Sequence, residues 1–218
     1  GDTVLIVYGG GSIKGNGLYD DTMKILNEND IKVFELSGVE PNPKIDTVKK
    51  GREICKNNNI DVVLAIGGGS TIDCAKVIAA SAKYESDPWD LVLDGSKIKD
   101  ALPIVAILTL SATGSEMDGF AVISDMKLND KVGTASEYLK PTFSILDPEY
   151  TYSVPERQTA AGTADIMSHV LENYFTREED AFLQARLCES LLKTCIKYGP
   201  IAIEHPKNYE ARANLMWS

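Results

Sequence analysis

Val62-Val63-Leu64-Ala65-Ile66-Gly67-Gly68-Gly69-Ser70-Thr71-Ile72-Asp73 is the stretch on which the fold turns. Five apolar residues, three of them β-branched, read as a strand buried on both faces, the kind found inside a parallel sheet. Three glycines break it, and a helix from Ser70 to about Ala82 follows. At such a corner, unpaired backbone N–H groups and the positive end of the helix dipole face one small volume, which suits an anion. The glycines let a phosphate oxygen approach without a Cβ in the way. Ser70 can cap the helix and donate to phosphate, and Asp73 lies one turn in. On local spacing alone, a tight loop with a helix cap is an equal reading.

A second instance lies upstream. Val4-Leu5-Ile6-Val7-Tyr8 is an apolar run ended by Gly9-Gly10-Gly11-Ser12, with a helical stretch from about Leu18 to Asn27 beyond it. This is the first strand-to-helix turn of the chain, where open α/β sheets bind dinucleotides. Two anion-suited turns point to a dinucleotide with its pyrophosphate. Neither has the GxGxxG spacing, which argues for a related but distinct doubly wound arrangement. Glu35, near the end of the next apolar run (Ile31 to Leu36), could hold a ribose 2′-hydroxyl, but its alternation with apolar residues makes a solvent-facing position the simpler reading. From Gly9 to Lys14 there is no carboxylate, while Ser12 and Lys14 could receive an extra phosphate, so the expectation tilts to NADP over NAD.

Outward from these corners, short strands alternate with longer helical segments, the pattern of parallel strands joined by crossover helices. Pro41 and Pro43 force an extended segment, and a helix from about Ile45 to Lys56 follows. Ile104 to Leu108 and Phe143 to Asp147 read as further strands. Between them, Ala121 to Ser124 and Lys131 to Thr134 flank a polar turn and read as a hairpin inserted in the sheet. After Pro155 the strand pattern stops, and helices are expected from about Ala161 to Phe175, from Asp180 to Tyr198 and from Tyr209 onward. The expected fold is therefore α/β: a Rossmann-like, doubly wound, mainly parallel sheet over residues 1–154, followed by the start of an all-helical domain over 155–218.

Thr109-Leu110-Ser111-Ala112-Thr113-Gly114-Ser115-Glu116 follows the fourth strand. Four hydroxyls and a glycine could be a solvated loop, yet the loop leaves the edge from which both glycine corners emerge, where hydroxyls could meet a nicotinamide and its ribose. Asp165 and His169 stand four residues apart, hence on one helical face. By spacing alone that is more often a surface ion pair. As a ligand pair, its oxygen and nitrogen donors suit iron, zinc or nickel better than calcium. His205, in Glu204-His205-Pro206, reads as exposed and structural.

Composition narrows the rest. A chain of 218 residues, 44% hydrophobic and 25% charged, is long enough for one large α/β domain or a domain and a half. Its formal charge of -10 and lack of a basic stripe argue against nucleic acid. The densest basic cluster, Lys49, Lys50 and Arg52, reads as a solvated helix face. Cys55, Cys74, Cys188 and Cys195 fall in no CxxC or disulfide-like spacing, which fits reduced thiols in a cytoplasm. No apolar run approaches the roughly 20 residues of a membrane span, and no secretory signal is visible. The start at Gly1 and the end at Ser218, inside a helical pattern, read as cuts in a longer protein.

The ordered set is specific where its parts are weak. GGGS at 9–12, Pro41-Asn42-Pro43, Gly67-Gly68-Gly69-Ser70-x-x-Asp73-x-x-Lys76, Thr109 to Glu116, Ile145-Leu146-Asp147-Pro148 and Asp165-x-x-x-His169 together resemble the iron-containing alcohol dehydrogenases, and within them the NADPH-dependent butanol dehydrogenase branch. The resemblance covers essentially the whole chain. It implies the dehydroquinate synthase-like superfamily, with an α/β cofactor domain, a helical metal domain and a cleft between them. By matching positions, Gly9, Gly10, Ser12 and Asn42 would line the cofactor from the first corner. Gly68, Gly69, Ser70 and Asp73 would do so from the second, with Thr109, Thr113 and Lys131 beyond.

Asp165 and His169 would be metal ligands and, through the metal, catalytic. The ion, iron or zinc, would polarise the alcohol or carbonyl oxygen while hydride passes to or from the nicotinamide. The family draws two more histidine ligands from later helices, which this sequence does not reach. The resemblance also implies a small primary alcohol or aldehyde as substrate, and many members are dimers. The rival readings are a glycerol dehydrogenase-like or dehydroquinate synthase-like reaction on the same scaffold, and a dinucleotide-binding module without chemistry.

Overall fold

Seven strands and eight α-helices are present in the computed structural model, which describes residues 1–177 and 180–218. In chain order they are β1 (Thr3–Tyr8), α1 (Ser12–Gly15), α2 (Leu18–Glu28), β2 (Lys32–Leu36), α3 (Ile45–Asn58), β3 (Val62–Gly67), α4 (Gly69–Ser81), α5 (Trp89–Leu93) and β4 (Ile104–Leu108). The hairpin β5 (Phe120–Asp125) and β6 (Asp130–Ala135) follows, then β7 (Phe143–Ile145), α6 (Glu156–Tyr174), α7 (Phe182–Glu204) and α8 (Tyr209–Trp217). The chain divides into two units, one of residues 1–108 and 114–145, the other of residues 109–113 and 146–218.

The first unit is built on a five-stranded parallel sheet in the order β2-β1-β3-β4-β7. Its central strands are the continuous apolar runs, because a strand covered on both faces has no position for a polar side chain. β2, at one edge, leaves Lys32 and Glu35 exposed. β7, at the other edge, is three residues long. Helix α4 is buried along nearly its whole length, from Gly69 to Ser81. Trp89 of α5 is also buried, at 9% exposure.

The hairpin stands apart from the sheet, where the sequence suggested an insertion into it. β7 pairs directly with β4, and β5 pairs with β6 and, among the described residues, with no strand of the five-stranded sheet. The reason lies on the other edge of β5. Its Phe120 carbonyl accepts from the Lys76 ammonium at 2.8 Å, the Val122 N–H donates to the Asp73 carboxylate at 2.9 Å, and the Ser124 N–H donates to the Pro43 carbonyl at 2.8 Å. Two side chains of α4 and one loop carbonyl thus satisfy the polar groups that a sheet neighbour would otherwise take.

The second unit is helical. Its core gathers Ile166 and Val170 of α6, Cys188, Cys195 and Ala202 of α7, and Ala211 and Leu215 of α8. On α6 the buried residues Thr159, Gly162, Thr163, Ile166 and Val170 recur at intervals of one, three or four, a single stripe along the helix. Two helix boundaries differ from the sequence reading. α6 starts at Glu156, directly after Pro155. α7 runs through Gly199 and Pro200 to Glu204, although that pair reads as a stop. Gly199 is there for packing, since a Cβ would lie 2.9 Å from the Thr163 methyl, so tertiary contact overrides the local signal. Trp217, in the last turn of α8, is 81% exposed.

Candidate functional site

β1 and β3 are neighbouring parallel strands with Tyr8 opposite Ile66, so the corners at Gly9 and Gly67 leave the same edge of the sheet side by side. β1 also has β2 on its other flank, which makes it the strand where the winding reverses. In open α/β sheets, ligands bind beyond the carboxyl ends of the strands at such a switch point.

The second corner leads straight into a helix of 13 residues. Gly68 is its N-cap, extended at φ -90° and ψ -172°, and no side chain caps the helix among the described residues. Ser70, expected as a cap, lies inside the first turn instead, half-buried. The Thr71 and Ile72 N–H groups bond the Gly68 carbonyl, while Gly69 and Ser70 precede them at the positive end of the helix. Gly67 serves a different purpose, because a Cβ there would sit 2.5 Å from the Thr71 hydroxyl.

The first corner is built otherwise than the sequence suggested. It opens onto α1, only four residues long, and α2 starts afresh after Gly17, so little helix dipole reaches it. Gly11 takes φ +108°, a conformation that favours glycine, and a Cβ on Gly10 would meet nothing within 4 Å. The backbone is tied to the segment after β2, with the Gly38 N–H on the Gly9 carbonyl and the Val39 N–H on the Tyr8 carbonyl. Ser12 is exposed at the start of α1. Asn42 is exposed between its two prolines at φ +55°, a left-handed conformation that asparagine tolerates.

Behind this corner Glu35 and Lys14, which the sequence offers separately, are joined through Tyr8 and Tyr19. Glu35 accepts from the Tyr8 hydroxyl at 2.7 Å and from the Tyr19 hydroxyl at 2.9 Å. The Lys14 ammonium stands 4.4 Å from the Tyr19 ring centre and 5.3 Å from that of Tyr8. Hydrogen bonding to Tyr8 raises the Lys14 pKa, and hydrogen bonding to Glu35 raises that of Tyr19. The available signal was Tyr8 itself, since a phenol closing an otherwise apolar, buried strand needs a partner for its hydroxyl.

Beneath the second corner, Asp73 accepts from the Ser115 hydroxyl at 2.6 Å and from the Val122 N–H. Burial pushes its carboxyl above the ordinary range. Lys76, fully buried, bonds Asp118 and the Phe120 carbonyl, each at 2.8 Å. Both side chains thus tie α4 to the segment that follows Gly114 of the hydroxyl-rich loop. Lys131 is exposed on β6. Thr109, half-buried, and Thr113, exposed, follow Leu108 in the chain and belong to the helical unit.

In that unit, the His169 Nε2 lies 3.8 Å from the Asp165 Oδ1, with the two side chains 54% and 45% exposed. They border the buried stripe of α6, beside Gly162 and Ile166. Among the described residues no group of three or more histidine, cysteine, aspartate or glutamate side chains converges on one point. The pair offers one oxygen and one nitrogen donor to a divalent ion, where three or four ligands are usual. His205 ends α7 and is exposed.

The glycine corners and the uncapped α4 terminus fit a dinucleotide, and comparison with known proteins points the same way. The family model described as iron-containing alcohol dehydrogenase matches residues 1–148. NADH-dependent butanol dehydrogenase B of Clostridium acetobutylicum is 64% identical over 218 residues, covering all of this chain and 56% of that protein. The NADPH-dependent aldehyde reductase YqhD of Escherichia coli is 44% identical, covering 99% of this chain and 56% of that protein. The crystal structure of NADH-dependent butanol dehydrogenase A from Thermotoga maritima superposes with a TM-score of 0.95 at 44% identity, covering 99% of this chain and 54% of that one. The chain thus spans about half the length of the curated relatives it matches.

Proposed function

The chain belongs to the iron-containing alcohol dehydrogenase family, and from that premise we propose that it binds a nicotinamide dinucleotide at the paired glycine corners and serves hydride transfer between the nicotinamide and a primary alcohol or aldehyde. The observation that carries this reading is the adjacency of β1 and β3, which puts both corners on one edge of the sheet. The relatives named butanol dehydrogenase and aldehyde reductase support the substrate class.

The roles divide by chemistry. The N-terminus of α4, with Gly68, Gly69 and Ser70, takes the pyrophosphate, because a long helix presents both N–H donors and a positive potential there. Gly9, Gly10, Ser12 and Asn42 take the adenosine side. Asp73 holds Ser115 and the hairpin backbone at Val122, and Thr109 and Thr113 are assigned to the nicotinamide and its ribose. Lys131 completes the cofactor set. Asp165 and His169 would hold a divalent ion, iron or zinc, with further ligands required. Such an ion, when bound, polarises the substrate oxygen and lowers the pKa of an alcohol.

Ser12 and Lys14 favour NADP(H), with the support of the reductase named for NADPH, while the butanol dehydrogenases named for NADH support the unphosphorylated form. The four cysteines, all buried and unpaired, favour a reducing, cytoplasmic setting. Among the described residues no helix is long and apolar enough to cross a membrane.

Titration of the protein with NADH and NADPH, followed by nucleotide fluorescence, tests the central claim. Saturable binding that Gly69→Val abolishes is expected, and absence of binding by either nucleotide would remove the dinucleotide reading. For the metal, His169→Ala should lower the divalent ion retained per chain and leave NADH affinity unchanged. Assays with a simple aldehyde and either reduced cofactor, set against glycerol with NAD, separate this reading from a glycerol dehydrogenase-like one.

A further inference from the structure

Glu35 is the penultimate residue of β2, the strand flanking β1, and faces Ile6 across the pair. At this place in a doubly wound sheet, a carboxylate accepts from the ribose 2′-hydroxyl of NAD, whereas a cation accommodates the 2′-phosphate of NADP. Here both charges are present, and both are held in place. The two oxygens of Glu35 take one phenol each, from the end of β1 and from the first turn of α2. The Lys14 ammonium rests on the faces of the same two rings, whose centroids lie 5.9 Å apart. Among the described residues no carboxylate reaches Lys14 within ion-pair distance, so its charge is steered by the rings and not neutralised by direct pairing.

Resting on the dinucleotide reading above, we propose that Tyr8, Lys14, Tyr19 and Glu35 set the choice between the 2′-hydroxyl and the 2′-phosphate of the adenosine ribose. Glu35 holds phosphate off and Lys14 draws it in. Because exposed charges of this kind each alter an affinity by only about a few-fold, the two nearly offset each other. The protein therefore accepts both cofactors, with dissociation constants within about tenfold of one another. The tyrosines are positioning residues: they fix where each charge stands relative to the corner at Gly9 to Ser12.

The test is the ratio of the NADPH and NADH dissociation constants in the wild type, Glu35→Gln, Lys14→Met and Tyr19→Phe. Glu35→Gln should move the ratio toward NADPH by about two- to fivefold, and Lys14→Met should move it toward NADH by a similar factor. Tyr19→Phe, which frees one oxygen of Glu35 while keeping the ring, should move the ratio less than either. A purely structural role would weaken both nucleotides in parallel. An unchanged ratio in both charge variants, with NADH still bound, would overturn this assignment and leave the dinucleotide site standing. Loss of both nucleotides already in the wild type would overturn the site and the assignment together.

Discussion

Glu116 is 7% exposed, and burial holds its carboxyl above the ordinary carboxylate range, with the charge on Asp118 adding to the effect. A carboxyl whose pKa rises on folding binds its proton more tightly in the native state than in the unfolded one. It therefore subtracts stability above its folded pKa and subtracts nothing below its unfolded value. Acidification from neutral toward about pH 4.3 relieves Glu116. Asp61 behaves oppositely: hydrogen bonds from the Thr3 hydroxyl and the Asp2 and Thr3 N–H groups lower its pKa. Its contribution is present above about pH 3.9 and is lost as the pH falls further, so the two effects occupy different windows. Glu116→Gln should raise the urea midpoint at pH 7 and converge with the wild type near pH 4.3. A gap that stays constant across that range would mean the side chain acts through contact and not through its charge.

At the scale of elements, the central strands were legible because burial on both faces leaves an uninterrupted apolar run, and Val62 to Ile66 is such a run. The place of the hairpin was not. What holds β5 off the sheet is a pair of side chains on α4, Asp73 and Lys76, more than 40 residues away in sequence, and no local periodicity records a contact of that kind. The end of α7 was hidden for a related reason, since Gly199 answers to Thr163 on another helix.

Gly162 poses the same question inside α6. Alanine in place of glycine favours a helix by roughly 1 kcal/mol, yet a Cβ here would stand 2.5 Å from the Ser111 carbonyl oxygen, a backbone atom with little freedom to give. Overpacking of that kind costs about 1–3 kcal/mol, so the packing effect should win. Gly162→Ala is expected to lower the urea midpoint with an unchanged slope. A raised midpoint would show that the segment 109–113 yields.

Over the whole molecule, the formal charge of -10 opposes an anionic dinucleotide at long range, while the α4 terminus attracts it at short range. Salt removes the long-range part first, because the screening length falls from about 30 Å at 0.01 M to about 8 Å at 0.15 M. The association rate for NADH, followed by stopped-flow fluorescence, should therefore rise about two- to threefold over that interval. A falling rate would mean that the local attraction dominates the approach.

The glycine corners could be found in the sequence one at a time, but their adjacency depends on the strand order β2-β1-β3, which no single corner encodes. The Asp165 and His169 spacing was equally visible, and the structure adds that both side chains are about half exposed, at the border of the buried stripe of α6. The Glu35 cluster escaped because alternation within β2 accounts for an exposed carboxylate without a partner.

The two tryptophans fall one to each unit and in opposite surroundings, Trp89 enclosed and Trp217 81% exposed. The molecule thus carries its own pair of optical reporters, of which only one has a colour change left to make. During denaturation the red shift of indole emission should track the sheet-bearing half alone, while the helical half melts unseen until ellipticity reveals it.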